Sequence, residues 1–380
     1  MRNSKSMFGS ARQDGFTLVE LMVGLVLGML TVLVIAQVLT LAEGKKRSVA
    51  MGSDAQVNGA MALYTLQREI QMAGYGATQS LDALGCPVHA KFDTNAPFTF
   101  TLAPVVINDG ANDAPDTITI LRGRSTGFST PVTLAGAHTS TDDHFSVNSS
   151  FGTTVGTWMI AVPALQSPTS WCSLISVTND TASVTTTLSP TVVPHVLTAS
   201  SKWNQNSVLP AAGYVMGDYL LNMGSFVSRT YSINTTNNAE SLQVSDLSLV
   251  NGLSSTQDLY PQIVNLQALY GKGTVDPSGN VIVDTYDNVT PLTNADWRRV
   301  VAIRIAIVAR STEYEKEIVT SAAPQWDVGS TATITGPTTI PCNGTSKCIA
   351  LKVNQLADWQ HYRYKVYDTI VPLRNVLWNS

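Results

Sequence analysis

The chain has 380 residues, enough for two or three folded units of ordinary size and for a real hydrophobic core. Charged side chains make up 13% and apolar ones 44%, so Ser, Thr, Asn and Gly stand where charge usually does; this excludes general disorder and fits a polar, uncharged, β-rich exterior. Lys+Arg 23 against Asp+Glu 27 gives a net charge of −4, with no basic stripe to neutralise phosphates, so nucleic acid is not an expected partner.

The first element is the most informative. Arg2, Lys5 and Arg12 against Asp14 form a short basic leader, and the run from Phe16 to Ala42 that follows has Glu20 as its one charge. As a helix the run is about 40 Å long against a hydrocarbon thickness of about 30 Å, so it can span a membrane. Lys45, Lys46 and Arg47 come next, which leaves both flanks basic and the orientation unfixed by charge alone. A secretory signal has an apolar stretch of about 7 to 15 residues, roughly half of this one, although Thr40-Leu41-Ala42 has the form of a signal-peptidase site.

Two features distinguish the run from a plain anchor. Gly15 sits between the polar leader and the apolar segment, and Glu20 places a carboxylate near the start of that segment. A charge at the centre of a membrane helix costs about 2.5 to 3.5 kcal/mol, less near an end, so a partner is expected. Cleavage between Gly15 and Phe16 would supply one, because the freed α-amine is a cation at the positive end of the helix, one turn from Glu20. In a bundle of helices staggered by about a turn, the carboxylate of one chain would meet the amine of the next.

Gly15-Phe16-Thr17-Leu18-Val19-Glu20 resembles the prepilin motif of type IV pilins and type II secretion pseudopilins. The resemblance implies cleavage by prepilin peptidase after Gly15, N-methylation of Phe16, and extraction of the helix from the inner membrane into a filament. Loss of residues 1–15, three basic and one acidic, takes the net charge from −4 to −6. Gly24 and Gly28 share one helix face and would let another backbone approach closely. The helix-breaking proline usual in major pilins is missing from this segment.

The helical pattern continues past the basic cluster, with Leu63, Leu66, Ile70 and Ala73 on one stripe and Gly74-Tyr75-Gly76 as its stop. The spacing predicts one long helix over 16–76, with 16–42 in membrane or filament core and 43–76 amphipathic. The stretch from Leu66 to Tyr75 also resembles the helix end of PilW-type minor pilins.

From residue 77 onward β signals dominate. Strands are expected at Thr117–Arg122, Thr157–Val162, Cys172–Thr178, Ala182–Leu188, Tyr214–Met223, Phe226–Ile233, Leu242–Leu249 and Arg299–Arg310. Alternation of Tyr362, Tyr364 and Val366 with His361, Arg363 and Lys365 predicts a sheet with one wet face. The stretches 262–271, 297–304, 362–367 and 372–375 are similar to PilW-like proteins, while residues 80–255 carry no such resemblance.

Catalytic signals are thin. Gly123-Arg124-Ser125-Thr126-Gly127 has the letters of a nucleophile elbow but runs into turn and strand instead of the helix an elbow needs. His89, His138, His144, His195 and His361 are scattered, with no metal-ligand spacing. Asp276 to Asn280, with Asp284 and Asp287 beyond, offers oxygens near a glycine turn but lacks the spacing of an EF-hand loop, so a hairpin turn is expected. Among the three possible connectivities of the four cysteines, Cys342 with Cys348 is favoured by proximity and Cys86 with Cys172 by default, in an oxidising compartment; free buried thiols are the other reading.

The expected fold is α+β and type IV pilin-like: a long N-terminal α-helix packed on an antiparallel β-sheet head, the head enlarged and β-rich, with room for two β subdomains. The expected organisation is 1–15 leader, 16–76 helix, 77–255 first β-rich part of the head, and 256–380 a PilW-like β-rich part. The resemblance implies a minor pilin at or near the filament tip that helps to start assembly. Its implied partners are other minor pilins, the major pilin, prepilin peptidase, the inner-membrane assembly machinery and, at the tip, a large adhesin; no cofactor and no metal is expected. The alternatives are a type II secretion minor pseudopilin and, from another class, a membrane-anchored or secreted periplasmic enzyme or surface-binding module.

Overall fold

Long stretches of Leu, Met and Ala favour helix, and the computed structural model forms one, α1, over Leu18–Met72. The structure describes Gly15 and residues 17–124, 130–167, 169–178, 189–197, 201–236, 240–275, 281–335, 339–342 and 344–378. The chain divides into two units, Met1–Ser53 and Asp54–Ser380. In the first unit the described residues are dominated by α1, whose segment Leu18–Gly44 has a mean hydropathy of 2.6 and buries nothing. Its leucines, valines and methionines are all exposed.

In the second unit α1 turns one stripe inward. Ala55, Ala62, Leu66, Ile70 and Ala73 are buried, and Leu63 is packed at the edge of the same cluster. Each fully buried Leu or Ile contributes about 1.5–3 kcal/mol. Gly59 is required by a close approach, because a Cβ there would overlap the Tyr367 ring, whose hydroxyl donates to Gln56 O at 3.4 Å. The helix ends where Gly74 and Gly76 adopt φ of +80° and +81°, the left-handed region that glycine enters without strain.

Three larger sheets make up most of the head. The first has six strands in the order Phe98–Thr101, Pro87–Ala90, Cys172–Ser176, Trp158–Val162, Tyr219–Gly224 and Val132–Thr133. The second is antiparallel throughout, in the order Ser254–Pro261, Ser241–Leu247, Val227–Asn234, Thr117–Arg122 and Val105–Asn108. Positions 255 and 256 thus fall within one strand of this sheet. The third runs Ala332–Thr333, Val281–Asp287, Ile263–Val275, Val300–Arg310 and Tyr364–Pro372. A three-stranded sheet of Gln325–Gly329, Lys347–Ala350 and Thr339–Pro341 and a pair formed by His144–Ser146 and Val192–Pro194 complete the described strands.

The alternation in each strand explains what packs where. The inward stripe of α1 meets Val105, Ile107, Ile118 and Ile120 from the second sheet and Leu266, Ile303, Ile305 and Ile307 from the third. Ala306 and Val308, on the opposite face of Val300–Arg310, pack with Trp326, Val328 and Ile349 of the three-stranded sheet. In this central strand both faces are covered, all residues other than Arg304 being buried, whereas the edge strand Tyr364–Pro372, where one wet face is expected, keeps exposed positions. Arg304 stacks on Trp326 with its guanidinium carbon 5.4 Å from the ring centre and donates to Asp327 O at 2.7 Å, so one cation is accommodated under the covering sheet. The Ala182–Leu188 expectation lies outside the described residues.

Several charges inside the head are paired. Glu69 on α1 faces Arg122 at 3.5 Å and Arg229 at 3.2 Å, and Arg229 continues to Asp246 at 3.1 Å, which ties the helix to the second sheet. Glu240 and Arg310, both almost fully buried, meet at 2.7 Å. A buried pair of this kind is costly to break one-sidedly, about 3–5 kcal/mol.

Candidate functional site

The motif at the head of α1 is built from its own side chains. Thr17 Oγ1 accepts from Glu20 N–H at 3.3 Å, while Glu20 Oε2 accepts from Thr17 N–H at 3.2 Å and from the Thr17 hydroxyl at 3.1 Å. This is a reciprocal capping box, Thr-x-x-Glu, which satisfies two backbone donors that a helix start otherwise leaves bare. The carboxylate thus has a local role that the charge-pair reading of the sequence missed, although the Thr17-Leu18-Val19-Glu20 spacing was the signal for it. Gly15 is exposed. Phe16, the expected N-methylation position, lies outside the described residues, as does the leader before Gly15.

Along the apolar helix two threonine hydroxyls are turned back on the backbone. Thr31 donates to Gly28 O and Thr40 to Gln37 O, each at 2.8 Å, so neither hydroxyl would enter hydrocarbon unsatisfied. A Cβ added at Gly24 or Gly28 would meet nothing within 4 Å, leaving both positions open to another backbone.

In the head the cysteines form two bridges. Cys86 joins Cys172 with a Cα spacing of 6.0 Å and Cys342 joins Cys348 at 5.6 Å, both ordinary for disulfides. Cys86 and Cys172 are fully buried in the first sheet, where Val88 and Cys172 are partners on parallel strands. Asp327 lies near Cys342 and Cys348, but with both sulfurs bonded to each other no thiolate is offered to a metal.

The titratable groups set aside as scattered are in part brought together. His138 and His195 are buried and meet Nε2 to Nε2 at 2.8 Å, one ring stacked on Phe145 at 3.8 Å. Burial pushes His138 down to about 4 and His195 down to about 3, so the pair is neutral at pH 7 and one ring donates to the other. No spacing in the chain announces this contact across 57 positions. His144 is instead paired with Asp143 at 2.7 Å, His89 stacks on Trp171 and His361 on Tyr314.

Among the described residues the remaining motifs are not brought together. Ser125 and Gly127 of the Gly-x-Ser-x-Gly sequence lie outside the described residues, and Gly123 donates its N–H to Tyr75 O at 2.6 Å. Asp276 to Asn280 also lie outside them; the flanking strands Ile263–Val275 and Val281–Asp287 pair antiparallel as a hairpin. Asp287 is bound to Lys272 at 2.8 Å and Asp284 to Arg299 at 3.7 Å, so these carboxylates face cations of their own chain. Asp116 is buried, accepts from Gly110 N–H and Ala268 N–H at 2.9 and 2.7 Å, and is pushed up to about 7 by that burial.

Two family models match the chain. Residues 230–375 match type IV pilus-assembly protein W, and residues 10–36 match the prokaryotic N-terminal methylation motif. No curated protein and no solved structure matches. The first match covers strands of both the second and the third sheet, from within Val227–Asn234 to just past Tyr364–Pro372. The second covers Gly15, the capping box and the first half of the apolar helix. The methylation motif ahead of a capped, exposed apolar helix and the protein W match over the C-terminal part of an enlarged, β-rich head together support a PilW-like type IV minor pilin.

Proposed function

We propose that the chain is held in the inner membrane by α1 with its head in the periplasm, is cut after Gly15 and N-methylated at Phe16, and then joins other minor pilins at or near the filament tip to start assembly of the major pilin. The observation that carries this reading is Glu20, one carboxylate within an otherwise uncharged, exposed apolar helix and directly behind the cleavage motif. In hydrocarbon that carboxylate favours a cationic partner, and the new amine of Phe16 on a neighbouring subunit supplies one at the positive end of a helix. Gly24 and Gly28 suit close helix packing in the filament core. Two disulfides suit an oxidising compartment for the head.

The tip position is supported by size. A head running from about residue 77 to the end is bulky for repeated lateral packing, and a tip subunit has fewer neighbours to accommodate it. Contact with a large adhesin would use the part of the head that precedes the protein W match. The test is quantitative mass spectrometry of sheared filaments together with counts of filaments per cell in a deletion strain. The reading expects this subunit at a small fixed number per filament, independent of filament length, and few filaments without it. A copy number that grows in proportion to filament length would overturn the tip position.

A further inference from the structure

At the C-terminal end of α1 the head carries a cleft of about 380 Å³ that none of the pilin features uses. Its walls include Met72 and Tyr75 from the helix end, Arg122 and Arg124 from the end of a strand and the turn after it, and Arg374 and Trp378 from the C-terminal turn of helix. Of the seven tryptophans Trp378 is the one that is exposed, at 79%, and Tyr75 is also exposed. Arg122 is held by Glu69 at 3.5 Å. The guanidinium groups of Arg124 and Arg374 are exposed and have no hydrogen-bond or ion-pair partner among the described residues.

We infer that this cleft is the docking surface for an acidic segment of a partner polypeptide, a second site that stands apart from the N-terminal processing proposed above. Trp, Tyr and Arg are the residues enriched at the energetic centres of protein interfaces, and Met is enriched in interfaces as a whole. An Arg fork binds carboxylate bidentately, and two such forks beside an exposed indole select a segment that combines Asp or Glu with apolar or aromatic side chains. The alternative anions fit less well. Two cations without a partner among the described residues, on a chain of net −4, are too few to track a phosphate backbone, which takes a series of cationic contacts.

The test uses the full chain in its own cells, with p-benzoylphenylalanine placed at position 378 as a photo-crosslinker and the crosslinked peptide mapped by mass spectrometry. The inference expects a crosslink to a segment of another polypeptide rich in Asp or Glu. In Arg124→Glu/Arg374→Glu the yield should fall by about tenfold or more, because two like-charge contacts then oppose docking. It should return when the mapped acids of the partner are changed to Arg. Arg374→Gln, a milder change at an exposed position, should give an intermediate yield, with both disulfides and the melting temperature kept as controls of folding. A crosslink to a neutral or basic segment, to residues 379–380 of the same chain, to lipid or to nucleic acid, the lack of any crosslink, or a yield indifferent to the double charge reversal each overturns the inference.

Discussion

The two disulfides should differ in what they contribute, and the difference follows from how much chain each one closes. Cys86–Cys172 spans a sequence separation of 86 and Cys342–Cys348 one of 6. Loop-closure entropy in the unfolded chain then gives about 4.5 kcal/mol for the long bridge and about 2.3 kcal/mol for the short one. With an unfolding entropy of about 2.1 cal/mol/K per residue over a unit of the size of Asp54–Ser380, those energies correspond to melting shifts of about 6–7 °C and about 3 °C. Cys86 and Cys172 are also fully buried, so Cys86→Ala/Cys172→Ala loses packing as well, which widens the gap. The assay is a thermal melt of the detergent-solubilised chain, comparing wild type, each double Ala variant and wild type under reductant. Cys86→Ala/Cys172→Ala should melt well below Cys342→Ala/Cys348→Ala. Equal shifts, or a larger one for the short loop, would refute the reasoning that chain closure rather than local geometry sets the contribution.

Glu20→Gln separates the two roles of its side chain. The amide oxygen can still accept from Thr17 N–H, so the capping box, worth about 1 kcal/mol, is kept while the charge is lost; the variant should reach the membrane normally and enter filaments poorly, as read by immunoblots of membrane and sheared-filament fractions. Thr17→Ala, which removes the hydroxyl contacts and keeps the charge, should incorporate much better than Glu20→Gln, and the reverse order would assign Glu20 to capping alone. For the His138–His195 pair the folded values, about 4 and about 3, lie below the ordinary 6.5, so the unfolded chain binds more protons between them. Head stability should therefore fall as pH drops from about 6.5 towards 3, with about 2 kcal/mol per histidine lost by pH 5, and His138→Gln/His195→Gln should flatten the melting-temperature slope between pH 7.5 and 5. Asp116, raised to about 7, acts with the opposite sign: its contribution is full below about 3.8 and is lost as pH rises through 7, so it partly masks the histidine slope in the wild type.

How much of this was legible in the sequence depends on the range of the interaction. The apolar run and the 3.6-residue stripe of Leu66, Ile70 and Ala73 were readable because a helix buries one face by local periodicity, and all three are buried. Thr117–Arg122 was readable to the residue as a short β-rich run between turn residues. The Tyr362–Val366 alternation identified a strand but not its start: Tyr362 follows the 3₁₀ turn Trp359–His361, and pairing with Val300–Arg310 begins only at Tyr364. Sheet order was not readable, since Val105–Asn108 and Ser254–Pro261 become the two edges of one sheet through pairings that no local pattern encodes. The same holds for the covered outer face of Val300–Arg310, where the small side chain of Ala306 looks the same whether it faces water or Trp326. The cleft beside Trp378 combines positions 72, 75, 122, 124, 374 and 378, and only the fold brings them together.

The most direct measurement of the central claim is the intact mass and N-terminal sequence of the chain purified from membranes and from filaments. The account expects a mature protein that begins at Phe16 and carries one added methyl on its α-amine. A chain that still begins at Met1, or one that begins at Glu43 after cleavage behind Ala42, would contradict it, because Glu20 would then have no liberated amine to meet on a neighbouring subunit.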